Sequence, residues 1–177
     1  LGAVSTLYLT LLGEGAHLVS TASVYGPSRG IVEKHLSRFG TEADFVDTSD
    51  LENIRAAIRP ETRLVYVETP ANPAMQVTDI AGAAGIAHEA GCLLAVDNTF
   101  ASPYLQNPLE LGADIVLHSV TKFINGHADV VGGLLVAKDP EQVAALRDVM
   151  IHMGCNMDPH QAFLVLRGLK TLGIRVE

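Results

Sequence analysis

The chain has 177 residues, of which 48% are hydrophobic and 18% charged, and its net charge at pH 7 is −8. A chain of this length and composition can bury a core of its own and is not typical of a disordered protein. The acidic balance, without a Lys/Arg cluster, excludes the usual surfaces for nucleic acid and anionic membranes. No apolar run is long enough to span a bilayer. Cys92 and Cys155 suit a reducing compartment, so we expect a cytoplasmic protein.

Helical and strand patterns alternate along the chain. The predicted helices cover residues 3–12, 28–39, 51–58, 78–90 and 159–172, and a further helix begins at residues 139–141. The predicted strands cover residues 17–20, 43–46, 64–68, 93–96, 114–117 and 132–137. Short apolar strands that alternate with helices predict an α/β fold with three layers, α/β/α, and a mostly parallel sheet covered on both faces.

Two of the predicted strands are followed by residues that carry chemistry. Lys122, one of only four lysines, lies shortly after the strand 114–117, and Asp97 directly follows the strand 93–96. Because the carboxyl ends of parallel strands meet at one edge of a sheet, we expect both side chains to face the same crevice. A lysine can form a Schiff base, and a carboxylate can pair with a pyridinium nitrogen. The alternatives are a lysine that points to water and an aspartate that caps a turn.

Four further residues are candidates for binding or catalysis. The hydroxyls of Ser119 and Thr121, beside Lys122, can bind a phosphate. Tyr25 lies in a strand-to-helix loop, where its ring can stack on a planar cofactor and its phenol can transfer protons. Asn72 stands between two prolines, and its amide can donate to an anionic oxygen. The alternatives are turn capping for the polar side chains and packing for the tyrosine.

The sequence offers little for a metal ion or a dinucleotide. His118, His127 and Asp129 lack the spacing of ligands on one helical face, so no metal site is expected. A nucleotide-binding or dehydrogenase-like α/β domain is an alternative of another class, but the glycine pattern Gly-x-Gly-x-x-Gly is missing after the first strand.

Three motifs occur in an order and at a spacing that resemble one family. They are Glu68–Pro73, Val96–Phe100 and Ser119–Asp129. Together they resemble the Cys/Met-metabolism enzymes that depend on pyridoxal 5′-phosphate. The resemblance continues through Asp158–His160 and Arg167–Leu172, so it covers essentially the whole chain.

The resemblance implies a type I, aspartate-aminotransferase-like fold, catalytic roles for Lys122 and Tyr25, and a cofactor-binding role for Asp97. Lys122 would hold the cofactor as a Schiff base and later move protons. Asp97 would pair with the nitrogen of the pyridine ring. Tyr25 would stack on the ring and act as an acid or a base.

The resemblance also implies the remaining cofactor contacts and the position of this chain in a larger enzyme. Ser119 and Thr121 would bind the phosphate, and Asn72 would contact the phenolic oxygen of the ring. Further phosphate ligands and the arginine that binds the substrate carboxylate would lie outside this chain. Residues 1–177 are therefore expected to be most of the large cofactor-binding domain, without the N-terminal arm and the C-terminal domain, of a homotetrameric enzyme.

The implied activity is that of a carbon–sulfur lyase acting on a sulfur amino acid. We expect α,γ-elimination of methionine or cystathionine to 2-oxobutanoate, ammonia and a thiol. Pro27, two places after Tyr25, stands where methionine-cleaving members commonly carry Cys. The alternatives are γ-replacement on a homoserine ester or related substrate and a catalytically silent α/β scaffold.

Overall fold

The structure, a computed structural model, describes residues 1–177 and contains six strands, eight α-helices and one 3-10 helix. The strands are β1 (His17–Thr21), β2 (Glu42–Val46), β3 (Thr62–Glu68), β4 (Leu93–Asp97), β5 (Ile115–Ser119) and β6 (Gly133–Ala137). The helices are α1 (Gly2–Leu11), α2 (Gly26–Lys34), α3 (Leu51–Ala57), α4 (Ile80–Glu89), α5 (Ser102–Leu105), α6 (Pro140–His152), α7 (Pro159–Leu169) and α8 (Leu172–Val176), and the 3-10 helix is Leu36–Phe39.

The strands form one sheet in the order β2-β1-β3-β4-β5-β6. The neighbours from β2 to β5 are parallel, and only β6 runs antiparallel to its neighbour. Strands β1 and β3 are buried along nearly their whole length, as expected for central strands of a parallel sheet covered on both faces. The predicted α/β fold with a mostly parallel sheet is confirmed.

Helices cover both faces of the sheet. On one face, α1, α2 and α6 pack over a core that includes Leu7, Tyr8, Tyr66 and Leu117. The ring of Tyr8 in α1 meets that of Tyr66 in β3 edge to face, with centroids 5.5 Å apart. On the other face, α3 and α4 pack over a second core around Val65. No helix of the chain has the length and apolarity needed to cross a membrane.

Two predicted helices are divided in the structure. The predicted helix 28–39 is α2 followed, after His35, by the 3-10 helix, which ends at Gly40 with a φ of 83°. The predicted helix 159–172 is α7 and α8. The carbonyl of Gly168 accepts from the N–H of Thr171 at 3.1 Å and from Arg175 Nη2 at 2.8 Å, so it does not continue the α-helical pattern.

The close packing of α7 against the turn after β5 can be tested at Gly168. A Cβ atom at this position would overlap the backbone carbonyl of Asn125. Because backbone cannot move aside cheaply, we expect Gly168→Ala to lower the free energy of unfolding by about 1–3 kcal/mol. Gly85→Ala in α4 is the matched control, because that Cβ would meet nothing within 4 Å, and it should raise stability by up to about 1 kcal/mol. Urea unfolding measures both, and equal gains in stability would contradict the packing described.

Candidate active site

A cleft of about 550 Å³ opens at the carboxyl ends of β3, β4 and β5. It is bordered by the first turn of α1, the start of β6 and the segment before α7. All six residues that the sequence predicted for the site line this cleft: Tyr25, Asn72, Asp97, Ser119, Thr121 and Lys122. The structure therefore brings together residues that are up to 97 positions apart, counted from Tyr25 to Lys122.

Asp97 is a buried carboxylate at the floor of the cleft. Its side chain accepts three hydrogen bonds, from Tyr66 Oη at 3.1 Å to Oδ2, and from Thr99 N–H at 3.1 Å and Thr99 Oγ1 at 2.5 Å to Oδ1. Burial raises the pKa of Asp97, although the hydrogen bonds from Thr99 and Tyr66 oppose that effect. No Lys, Arg or His lies within 4 Å of the carboxylate. A cation that entered the cleft would be a favourable partner.

Thr99 links the ends of two neighbouring strands. Its hydroxyl donates to Asp97 at the end of β4 and accepts from the N–H of Ser119, the last residue of β5, at 2.8 Å. One hydroxyl thus fixes the carboxylate relative to the backbone that precedes Lys122. The sequence prediction did not identify this role, although a threonine two residues after a buried aspartate is a common partner for that carboxylate.

The turn that carries Lys122 is tied down on both sides. The hydroxyl of Thr121 accepts from the N–H of Gly132 at 2.9 Å and lies 3.3 Å from its carbonyl oxygen. Arg175 of α8 donates to the carbonyl of Phe123 at 2.7 Å and to that of Ile124 at 3.3 Å. These bonds leave the amine of Lys122 exposed at the cleft rather than packed into the core.

Tyr25 and Asn72 approach the cleft from loops after β1 and β3. Tyr25 directly precedes α2, and 46% of its surface is exposed. The backbone N–H groups of Tyr25 and Asn72 donate to the two carboxylate oxygens of Glu68, at 2.7 and 3.0 Å. The sequence prediction gave Glu68 no role in the site, and the available signal was an acidic residue at the end of a buried strand.

The other residues considered from the sequence lie outside any common site. Asp129 pairs with Arg167 of α7 and accepts from Asn125, and the Nδ1 atom of His127 bonds to the carbonyl of Asn125. His118 is buried in β5, and burial lowers its pKa. No group of three His, Cys, Asp or Glu side chains is placed to hold a metal ion. Pro27 is exposed in the first turn of α2 and does not line the cleft.

The comparison with known proteins decides the family. The sequence model of the family described as Cys/Met metabolism PLP-dependent enzyme matches residues 1–177. The chain belongs to this family. It is 49% identical over 175 residues to a cystathionine gamma-lyase of Bacillus subtilis, a match that covers 99% of this chain and 46% of the relative. It is 44% identical over 183 residues to an L-methionine gamma-lyase of Treponema denticola, covering 100% of this chain and 45% of the relative.

A solved structure shows the same fold. The crystal structure of metB from Corynebacterium glutamicum matches with a TM-score of 0.95 at 44% identity, covering 97% of this chain and 45% of that one. The chain thus spans somewhat less than half the length of these relatives. The predicted resemblance, the type I α/β fold and the dependence of the family on pyridoxal phosphate are confirmed.

The donor set of the cleft fits the cofactor of this family. Asp97 is buried without a cationic partner, as a ligand of a protonated ring nitrogen would be. Lys122 supplies a primary amine at the cleft. The first turn of α1 borders the cleft without any acidic residue, and Ser119 stands on the same lining, so the helix dipole and a hydroxyl are available for a phosphate.

The link through Thr99 can be tested by removing its hydroxyl and measuring the stability of the protein. Thr99→Val keeps the shape but removes the hydroxyl that Asp97 and Ser119 share, leaving a half-buried N–H unpaired and the buried carboxylate with one donor fewer. We expect a loss of about 1–3 kcal/mol in the free energy of unfolding. Thr99→Ser keeps the hydroxyl and is the control, with a smaller loss. Chemical denaturation of the three proteins checks this, and equal stability of wild type and Thr99→Val would show that the shared hydroxyl contributes nothing.

Proposed function

We propose that residues 1–177 form most of the cofactor-binding large domain of a pyridoxal-phosphate-dependent carbon–sulfur lyase. The proposed reaction is α,γ-elimination of methionine or cystathionine to 2-oxobutanoate, ammonia and a thiol. The observation that supports it is the presence of Lys122 and Asp97, from the ends of adjacent strands, on the lining of one cleft. Relatives named for γ-lyase activity on these two substrates support the choice of reaction.

Each cleft residue has a proposed part in holding the cofactor. Lys122 would bind its aldehyde carbon, Asp97 its ring nitrogen, Tyr25 the face of its ring, Asn72 its phenolic oxygen, and Ser119 and Thr121 its phosphate. The hydroxyl of Thr121 already bonds to the backbone of Gly132, so Ser119 and the first turn of α1 would carry the larger share of the phosphate contacts. When bound, pyridoxal phosphate supplies an electron sink for the carbon beside the substrate amine.

The side chains of the chain would move the protons of the reaction. The Nζ atom of Lys122, once the substrate amine has displaced it, is a free base beside the α-carbon and would accept its proton. Once it had delivered that proton to the cofactor, the same amine would be free again to take a proton from the β-carbon, which the departure of a γ-thiol requires. The Oη atom of Tyr25, exposed at the cleft, would donate a proton to the leaving sulfur. Asp97, held by Thr99 and Tyr66, would keep the ring nitrogen protonated.

The proposed assembly and location follow the resemblance. We propose a cytoplasmic homotetramer that acts on a small-molecule sulfur amino acid. Both cysteines are free, which suits a reducing compartment. Exposed apolar side chains recur along α7 at Phe163, Leu166 and Leu169, the pattern of a surface that packs against further protein.

The role of Asp97 can be tested in the full-length enzyme. A hydrogen bond to a charged group is worth about 1.5–3 kcal/mol, so Asp97→Asn should lower the rate of 2-oxobutanoate formation by at least about 10- to 100-fold. Asp148→Asn, at an exposed position of α6, is the control and should match the wild type. The assay measures 2-oxobutanoate from methionine, cystathionine and a homoserine ester, with and without added thiol.

Three outcomes would contradict the proposed reaction. No 2-oxobutanoate from any of the three substrates, with pyruvate formed from cystathionine or cysteine, would indicate β-elimination. A thioether product formed only with added thiol would indicate γ-replacement. The absence of any visible absorption band that borohydride bleaches, together with the absence of turnover, would indicate a silent scaffold.

A further inference from the structure

Glu68 joins the two loops that carry Tyr25 and Asn72. It is the last residue of β3, is only 3% exposed and lines the cleft. Its Oε2 atom accepts from the N–H of Tyr25 at 2.7 Å, and its Oε1 atom accepts from the N–H of Asn72 at 3.0 Å. Both oxygens of one buried carboxylate are therefore bound to backbone, on loops that follow two neighbouring strands of the sheet.

The side chains of Tyr25 and Asn72 are not held by hydrogen bonds of their own. Neither the phenol of Tyr25 nor the side-chain amide of Asn72 hydrogen-bonds to another residue, and both side chains face the cleft. Apart from Glu68, a hydrogen bond from Ser23 Oγ to Gln76 at 2.9 Å connects the loops directly. The orientation of the two cleft side chains therefore depends on where Glu68 holds their backbones.

We propose that Glu68 is a positioning residue that sets the cofactor cradle by holding the Tyr25 and Asn72 loops together, and that it does so in its ionised form. This inference rests on the proposed function, because the cradle is the one assigned to pyridoxal phosphate. A charged carboxylate accepts two strong N–H bonds at once, whereas a carboxylic acid has one good acceptor oxygen.

The surroundings of Glu68 place its change from carboxylate to carboxylic acid near neutral pH. Glu68 and Asp97 are paired in register on β3 and β4, so their side chains share one face. Burial, with a smaller contribution from the charge of Asp97, raises the pKa of Glu68 to about 7, against the effect of the two N–H bonds. Tyr66 and Tyr8 are buried uncharged on the same face, and Lys122 is the cation that lines the cleft.

The direction of the pH effect follows from the raised pKa of Glu68. Above about pH 7 the carboxylate is ionised and holds both loops. As the pH falls through 7, protonation removes one strong acceptor and the loops loosen. The affinity for pyridoxal phosphate should then fall, beyond any change caused by the cofactor's own titration.

The test compares Glu68→Gln with wild type in the full-length apoenzyme. Gln copies the neutral acid, so the dissociation constant for pyridoxal phosphate should be about 10- to 100-fold higher than wild type at pH 8. The ratio of the two constants should shrink towards one at pH 6. Glu110→Gln is the control, because Glu110 is exposed and its side chain has no partner. Glu68→Asp should keep the pH dependence with an intermediate affinity.

A second readout needs no cofactor. Hydrogen exchange of the apoenzyme at pH 8 should be faster in Glu68→Gln at the amides of Tyr25 and Asn72, while amides in the centre of β4 stay protected. An affinity ratio that does not change with pH, or unchanged exchange at these two amides, would overturn the role of Glu68. If the wild type binds no pyridoxal phosphate, the proposed function fails separately, and the exchange experiment still decides whether Glu68 holds the loops.

Discussion

The register of β3, β4 and β5 is the constraint on which the site depends. Parallel pairing aligns Glu68 with Asp97 and Asp97 with Leu117, two residues before Ser119. Three strand ends thus deliver two carboxylates and a hydroxyl to one edge, and the turn that follows adds Lys122. A slip of one residue in β4 would turn Asp97 to the opposite face, away from the cleft. The apolar cores on both faces of the sheet fix that register.

The site carries an excess of buried negative charge. Asp97 and Glu68 are both buried, and burial raises the pKa of each. Neutral hydrogen-bond donors offset part of the free-energy cost of burying these charges. Thr99 and Tyr66 donate to Asp97, and two backbone N–H groups donate to Glu68. A bound cationic ring would complete the compensation at Asp97. We therefore expect the same two buried carboxylates to set both the affinity for the cofactor and its dependence on pH.

The fold and the cleft lining were predictable from local patterns, whereas the contacts were not. Short apolar strands ending in Asp97 or leading to Lys122 predict an α/β sheet with chemistry at one edge, and the structure places both residues there. The roles of Glu68 and Thr99 depend on which strands are neighbours and in which register, and that information is long-range. The division of the last predicted helix at Lys170 likewise involves a long-range contact, since Arg175 donates both to the carbonyl of Gly168 and to that of Phe123 in the turn after β5.

The proposed function depends on a covalent bond between Lys122 and the aldehyde carbon of pyridoxal phosphate. Borohydride reduction of the full-length holoenzyme, followed by proteolysis and mass spectrometry, tests it most directly. We expect a pyridoxyl-phosphate adduct on the peptide that contains Lys122, and none on peptides containing Lys34, Lys138 or Lys170. An adduct on another lysine, or a cofactor that leaves the protein unmodified after reduction, would contradict it.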